Sequence, residues 1–352
     1  GVGLVNMNSF VGENYFFSKQ IMWAGISIAA FLGLSFMDFR FLKRTDVLMT
    51  LFLFAMAVLV FMLVFVSSIK GAQSWLSIGG FTLQPSDPIK LIVILILAKY
   101  FSRRHIEIAH IRHILVSGFY ALAPFVLVFL QPDFGSAVVI FFIWLCMIIV
   151  SGVSKTHLAL VFFIGAISFI FLWSFVFADY QKQRVLTFLE PLSDLEGAGY
   201  NARQSVIAVG SGELFGKGVG FGTQSRLQFL PEYETDFIFA AFAEEWGFVG
   251  ATILLALFLF VVWRIISMAM HGASNFETFF GAGLAILIVS HVIINVGMNI
   301  GILPVTGIPL PFMSYGGSHL LTEFAGLGIL MGMHRYSRTA HRDDTGNELV
   351  GF

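Results

Sequence analysis

Gly135-Ser-Ala-Val-Val-Ile-Phe-Phe-Ile-Trp-Leu-Cys-Met-Ile-Ile-Val150 carries no charged side chain and stops at Ser151-Gly152. Such a run reads as a membrane helix, because about 20 apolar residues cross a bilayer core and a helix satisfies its own backbone there. The pattern recurs along the chain. Apolar segments near 19–37, 47–67, 88–101, 114–130, 135–152, 157–178, 236–264, 279–301 and 318–334 predict nine spans. The opening Gly1-Val-Gly-Leu-Val-Asn-Met7 reads as the tail of a further, truncated span, and no signal-peptide pattern is present.

Composition agrees. Hydrophobic residues are 57% of 352 and charged residues 12%, where soluble domains carry roughly 25% charge. Mean hydropathy is +0.87. The 41 Phe residues suit an exterior that faces lipid. A net charge of −1 offers no basic face for nucleic acid. The single Cys146 lies in an apolar run, which excludes disulfides within the chain and cysteine metal sites. The expected class is an all-α polytopic membrane protein in which residues 1–352 form one integral membrane domain.

Lys and Arg placement sets the orientation. Arg40, Lys43 and Arg44, then Arg103, Arg104 and Arg112, then Lys155, Arg264, Arg335, Arg338 and Arg342 fall in alternate loops. The opposing short loops carry little beyond Lys19 and Lys70. The first set, with the C-terminus, is therefore expected in the cytoplasm, and residues 179–235 outside. Loops of that length are either functional or disordered. This one mixes Tyr180, Phe188, Pro191, Tyr200, Ile207, Leu214 and Phe229 with glycines and charges. That mixture predicts an ordered extracytoplasmic cap over an outward cavity rather than a mobile connector. Within it, Asn201–Val209 predicts amphipathic helical turns with Val206, Ile207 and Val209 on the buried side.

Three other outward loops, at 70–90, 131–136 and 303–318, combine Pro, Gly and hydroxyls within apolar flanks. Non-helical backbone at membrane depth is tolerated only where it lines a cavity or is buried in protein. Trp75, Ser314 and Ser318 in these loops join the candidate site residues. Asp236 sits where the long loop turns into a membrane helix, and the local pattern leaves two readings open. It is a helix N-cap or a partly desolvated carboxylate suited to general-base work. Glu244 and Glu245 fall about 12 Å further along that helix, and intramembrane carboxylates are functional candidates by default. Asp87 and Lys90 share a helix face. Ser86 as cap and Asp87 answering the helix dipole account for the acid but not for an outward Lys90. That lysine reads as an anion contact or a buried ion-pair partner.

His291, Asn295 and Asn299 form one polar stripe, the usual means of bonding membrane helices together. Asp133 reads as an N-cap. Gly212-Glu-Leu-Phe-Gly-Lys-Gly218 has P-loop residues at the wrong spacing, with no Ser or Thr after Lys217. Its amides and Lys217 still suit an anion. An outer face with carboxylates, cations and glycine-rich backbone beside lipid fits a substrate with a membrane-embedded tail and a phosphate-bearing head.

Together these motifs resemble the SEDS family, the cell-wall polymerases of the RodA and FtsW type. The resemblance rests on Gln131–Ser136, Gln204–Gly218, Leu230-Pro-Glu, Thr235-Asp-Phe-Ile-Phe-Ala240 and Leu303–Gly317. Gly222-Thr-Gln224 and Asn295–Gly301 look more like the RodA branch. The resemblance implies a ten-span bundle, with the long loop set before the last three spans. It implies a glycosyltransferase that polymerises lipid II at the outer face of the cytoplasmic membrane, for cell elongation and shape. A class B penicillin-binding protein would be its transpeptidase partner. It implies Asp236 as the essential acid. It also makes Lys90, Arg184, Arg203 and Lys217 candidates for the leaving pyrophosphate, with a divalent cation, Mg or Mn, assisting. Asp87, Ser314 and Ser318 are further substrate-binding candidates, and Glu234, Glu244, Glu245 and Trp75 possible supports.

Three positions depart from the family pattern. Glu234 stands where His is usual, Asp87 where Glu is usual, and His319 where a second Ser is usual. A lipid II flippase, or a non-catalytic scaffold for a transpeptidase, are the alternatives from other functional classes.

Overall fold

The structure is a computed structural model. It describes residues 15–66, 75–78, 81–103, 111–175, 177, 181–182, 186–188 and 197–347. The expected truncated span at the N-terminus lies outside them. A helix covers every other expected span: α1 (Tyr15–Ser35), α2 (Thr45–Phe65), α3 (Ser86–Ser102), α4 (Ile111–Leu130), α5 (Phe134–Val150), α6 (Lys155–Phe175), then α9 (Ile238–Met270), α10 (Asn275–Asn299) and α11 (Gly317–Asn347). Inside the long loop lie α7 (Ala198–Ser211) and the single-turn α8 (Thr223–Arg226). Among the described residues, six helices are long and apolar enough to cross a membrane, and α5 is a shorter apolar one. The 70–90 segment holds a feature the sequence reading did not foresee. It is a two-stranded antiparallel hairpin, β1 (Leu76–Ile78) on β2 (Phe81–Leu83), with Ser77 opposite Thr82.

The chain divides into two compact units. One comprises Trp23–Val153, Val261–Ile288 and Gly317–Phe352. Its centre is α3, whose Ile94 and Leu97 are fully buried, as are Ile140, Ile143 and Met147 of α5. A helix buried on nearly every side must be apolar all round, which is why the α3 sequence shows no polar stripe. Gln131 donates to the Leu59 carbonyl at 2.8 Å, and Trp144 Nε1 to Ser117 Oγ at 3.2 Å. Asp133 accepts from the Ser136 amide at 3.0 Å as the N-cap of α5, as expected. Ser86 differs. It is the first residue of α3, Pro85 holds the cap position without a side-chain bond, and the Ser86 hydroxyl turns to Asp133 at 3.3 Å.

The other unit comprises Gly1–Met22, Ser154–Phe260 and Val289–Gly316. Here α6 buries no residue at all, so its Phe and Ile side chains face outward, as the phenylalanine content suggested. Helix α9 is broken. Gly247 has φ 68° and ψ −170°, a conformation reserved for glycine. The backbone groups freed by the break are taken up by the glycine-rich loop. The Lys217 and Gly218 amides donate to the Glu244 and Glu245 carbonyls, both at 3.0 Å. Reciprocally, the Phe248 and Val249 amides donate to the Glu213 and Leu214 carbonyls at 2.9 and 3.0 Å. A continuous helix would have joined 244 to 248 and 245 to 249. The loop thus splices the helix, and the resemblance to a P-loop has a structural cause. A Cβ at Gly212 would overlap the Ala243 carbonyl, and one at Gly216 the Glu245 carbonyl.

Gly247→Ala is expected to cost about 1–3 kcal/mol and to lower the thermal unfolding midpoint in detergent, with faster proteolysis between Gly212 and Arg226. Gly210→Ala is the control, since nothing lies within 4 Å of its added methyl. An unchanged midpoint for Gly247→Ala would contradict the splice.

Candidate active site

Residues 231–237 form a run of turns ahead of α9, and Asp236 lies in it, half-buried. The backbone around it is held from two sides. From α10, the side-chain amides of Asn295 and Asn299 each donate to the Asp236 carbonyl at 3.0 Å. Asn299 Oδ1 also accepts from the Ala240 amide at 3.0 Å. Asn295 reaches the Ile308 carbonyl at 2.8 Å, and His291 Nδ1 lies 3.3 Å from the Pro309 carbonyl. The stripe does bond helices together, and its target is the candidate acid and the proline-rich loop beside it.

That loop supplies the second side. Ser314 Oγ donates to the Thr235 carbonyl at 2.6 Å and accepts from the Leu310 amide at 2.8 Å. The Tyr315 amide donates to the Glu234 carbonyl at 2.8 Å. Gln20 donates to the Ser314 carbonyl at 3.1 Å. Gly307, at φ 74°, brings bare backbone to the carboxylate, so that a Cβ there would sit 3.4 Å from Asp236 Oδ2. The arrangement therefore fixes where Asp236 stands and brings the Gly307 backbone close to its carboxylate. Ser314 is buried in this scaffold, with its hydroxyl committed to backbone.

Glu234 contributes charge. Burial pushes its carboxyl above the usual glutamate value and Glu232 adds to the rise, while the Tyr233 hydroxyl opposes it through a hydrogen bond. Burial likewise raises Tyr233, with Glu234 beside it adding to the effect.

The long loop supplies the rest of this unit's candidates. Helix α7 forms where helical turns were expected, but its buried face is different. Val206 and Ile207 are exposed, while Ser205 and Ala208 are buried and Val209, as expected, packs inward. Ser205 turns inward because its hydroxyl donates to the Asn299 carbonyl at 2.9 Å. Ala208 is small enough to join Leu230, Phe237, Ala240 and Ala241 in a cluster. The displaced Val206 and Ile207, with Arg203, Thr187, Leu303 and Pro304, line a largely apolar cavity of about 290 Å³. Among the described residues, Arg203 is its only charged wall.

Lys217 is paired. Its ammonium lies 2.8 Å from both Glu244 Oε1 and Thr223 Oγ1. The same Glu244 oxygen accepts from the Thr223 and Gln224 amides at 2.9 and 3.1 Å, and Glu245 accepts from the Gly220 amide at 3.0 Å. Both glutamates are buried, and both tie the loop to the broken helix.

In the unit built around α3, Lys90 and Asp87 form the expected pair at 3.0 Å, each about 3% exposed. His319 lies 3.7 Å from Asp87 through Nδ1 and 2.9 Å from Glu323 through Nε2. Glu323 was missed in the sequence reading, although its i,i+4 spacing from His319 was the available signal. Ser318 exchanges 3.2 Å bonds with the Gln84 backbone. Trp75 is half-buried ahead of β1. Arg184 lies outside the described residues. Among the described residues no three His, Cys, Asp or Glu side chains converge to hold a metal ion.

Comparison with known proteins places these features in context. The family model FTSW_RODA_SPOVE, described as "Cell cycle protein", matches residues 3–339. The peptidoglycan glycosyltransferase MrdB of Escherichia coli K12 is 41% identical over 269 residues, covering 76% of this chain and 72% of that one. A chain from a solved structure described as "Structural coordination of polymerization and crosslinking by a peptidoglycan synthase complex" matches at TM-score 0.81 and 29% identity, covering 95% of this chain and 94% of its own. The crystal structure of Thermus thermophilus rod shape determining protein RodA matches at TM-score 0.71 and 28% identity, covering 96% and 93%.

Two measurements test this geometry. Asn299→Ala removes one of the two donors to the Asp236 carbonyl and the acceptor for Ala240, and is expected to cost about 1–3 kcal/mol and to lower activity even where the protein still folds. For Glu234, the neutral form is favoured in the folded chain. It therefore adds stability at low pH that is lost as the pH rises through the folded-state value. Glu234→Gln should raise the unfolding midpoint at about pH 7 and leave it nearly unchanged at about pH 4. An equal shift at both would remove the buried-carboxyl assignment.

Proposed function

Because this chain belongs to the FtsW/RodA/SpoVE family of cell cycle proteins, we propose that it is a peptidoglycan glycosyltransferase. It polymerises lipid II into glycan strands at the outer face of the cytoplasmic membrane, in the service of cell elongation and shape. The observation that carries the reading is the clamp on Asp236: two asparagines on its carbonyl, a serine on the preceding carbonyl, and glycine against its carboxylate. A group so held, yet half-exposed, is built to meet something.

In the reaction, the 4-hydroxyl of the acceptor sugar attacks the anomeric carbon of a glycan carried on polyprenyl pyrophosphate. The new C–O bond forms as the bond to pyrophosphate breaks, with inversion. Asp236 takes the hydroxyl proton as general base. The pyrophosphate leaves with the bonding electrons, and cationic side chains stabilise it as charge develops. Arg203, at the rim of an apolar cavity suited to a lipid tail, is a candidate for that role. Lys90, Arg184 and Lys217 are the others. The pairing of Lys217 with Glu244 favours a part in folding the loop, whereas Lys90 pairs with an acid that His319 also approaches, at 3.7 Å. Asp87 and Ser318 belong with Lys90 as substrate-side candidates, and Ser314 acts through Asp236.

A divalent cation, Mg or Mn, enters this reading as a counter-ion carried by the pyrophosphate itself, since magnesium commonly draws on substrate phosphates. The reading includes the finer topology as well: ten spans, the C-terminus in the cytoplasm, and residues 179–235 as an extracytoplasmic cap. A class B penicillin-binding protein supplies the transpeptidase, in keeping with the synthase complex to which the fold is similar.

Asp236→Ala should leave expression, unfolding midpoint and partner binding intact while abolishing polymerisation of purified lipid II, read as glycan chains on a gel. Polymerisation at the unmodified rate would overturn the assignment of Asp236. Intact polymerisation with loss of partner binding would point to a different role for the acid.

A further inference from the structure

The C-terminal end of α10 is closed by a side chain from the long loop. A helix leaves its last four carbonyls without partners inside the helix. Here the Ile300 amide answers Val296 at 3.0 Å, and the Ile302 and Leu303 amides answer Gly297 at 2.8 and 3.1 Å. The Gly301 amide, at φ 75°, answers Met298 at 3.4 Å. The fourth carbonyl, that of Asn299, accepts from Ser205 Oγ of α7 at 2.9 Å, and both residues are fully buried. Asn299 also holds the backbone of the acid. Its side chain donates to the Asp236 carbonyl and accepts from the Ala240 amide, and Ser205 Oγ lies 3.3 Å from its Oδ1. One asparagine thus joins α7, α10 and Asp236, all within the same compact unit.

The chain neighbours of both bonded residues face the apolar cavity. Arg203, Val206 and Ile207 stand on either side of Ser205, Ile300 follows Asn299, and all four line it. Val305 is a second link, since it lines the cavity and packs on the cluster that contains Ala208, Phe237 and Ala240. At about 290 Å³ the space is small for a ligand pocket, so it suits a segment of a lipid rather than a whole one. Val206, Ile207 and Ile300 remain exposed there, as does Arg203. Apolar walls beside a guanidinium fit a hydrocarbon chain that ends in phosphate.

We propose that this cavity holds the phosphate-proximal isoprene units of the polyprenyl pyrophosphate, and that Ser205 is a positioning residue that couples the chain lying there to Asp236. This rests on the glycosyltransferase reading for its substrate, but the coupling can be measured without turnover. A chain in the cavity presses on α7 and on the end of α10, the two elements that the Ser205–Asn299 bonds join. Binding energy far from the reacting bond then serves the chemical step, and a shortened chain lowers kcat rather than raising KM alone.

The test compares lipid II with an analogue that carries a farnesyl chain. Unmodified protein should turn over the analogue with a kcat at least about tenfold lower. Ser205→Ala should be slow with both substrates, bringing the two kcat values to within about twofold of each other. A merely structural loss would slow both equally and leave their ratio as it was. Ile207→Trp, at an exposed wall position, fills the cavity and should collapse the ratio in the same way with the unfolding midpoint unchanged. An unchanged ratio in either variant overturns the proposal. A second arm keeps it open to refutation where Ser205→Ala does not fold. Polyprenyl pyrophosphate added to unmodified protein in nanodiscs of zwitterionic lipid should slow hydrogen exchange over residues 235–241 by at least about threefold, and phosphatidylglycerol should not. No slowing, or equal slowing by phosphatidylglycerol, overturns the proposal even if lipid II is polymerised. Slowing by polyprenyl pyrophosphate in a protein that polymerises neither substrate upholds the site and strikes the glycosyltransferase reading instead.

Discussion

Backbone amides and carbonyls have no water to turn to in a bilayer, and that constraint shapes the unit that carries Asp236. Helix α9 breaks at Gly247, and four backbone groups are left without their helical partners. The segment Glu213–Gly218 satisfies all four by running alongside as a series of turns. Everything next to this splice follows from it. Glycines are needed where the two backbones touch. Glu244 and Glu245 bury their carboxylates into the amides of residues 220–224, and Lys217 neutralises one of them. A loop fixed at this point can carry α7 and the wall of the cavity with it.

The acid is held by the same logic, with side chains in place of backbone. Amide side chains repeat every fourth residue on α10 and so face one direction. They find the carbonyl of Asp236, the carbonyl of Ile308 and the amide of Ala240. Each bond is modest in a membrane. Their number matters more, since they tie the start of α9 to α10 and to the proline-rich loop at once. The position of the carboxylate is a by-product of satisfying the backbone that precedes it.

Much of this was legible in the sequence, and the unread parts share a cause. Helices were visible because long apolar runs have few alternatives in lipid. The candidate acid and the Asn stripe were visible because polar groups are scarce there. The destination of the stripe was not, because a side chain's partner on a distant helix leaves no local trace. The buried face of α7 was misread for a related reason: Val206 and Ile207 looked like the inner face by hydropathy alone. At a lipid-facing site, however, apolar side chains lose nothing outside, and Ser205 gains a bond inside. The splice was unreadable because it is made of backbone, and its glycines read as a turn or an anion site. The hairpin at 76–83 is too short to show alternation against its Gly and Ser neighbours.

Helix α6 buries none of its residues, and Phe177 just past its end is tucked in, edge-on to Phe169 and Trp173. A helix that buries no residue takes its tilt largely from the lipids around it. Its far end leads directly into the long loop. Bilayer thickness is therefore a mechanical input to residues 179–235: a thicker membrane stands α6 more upright, and the strain passes to the chain that follows it.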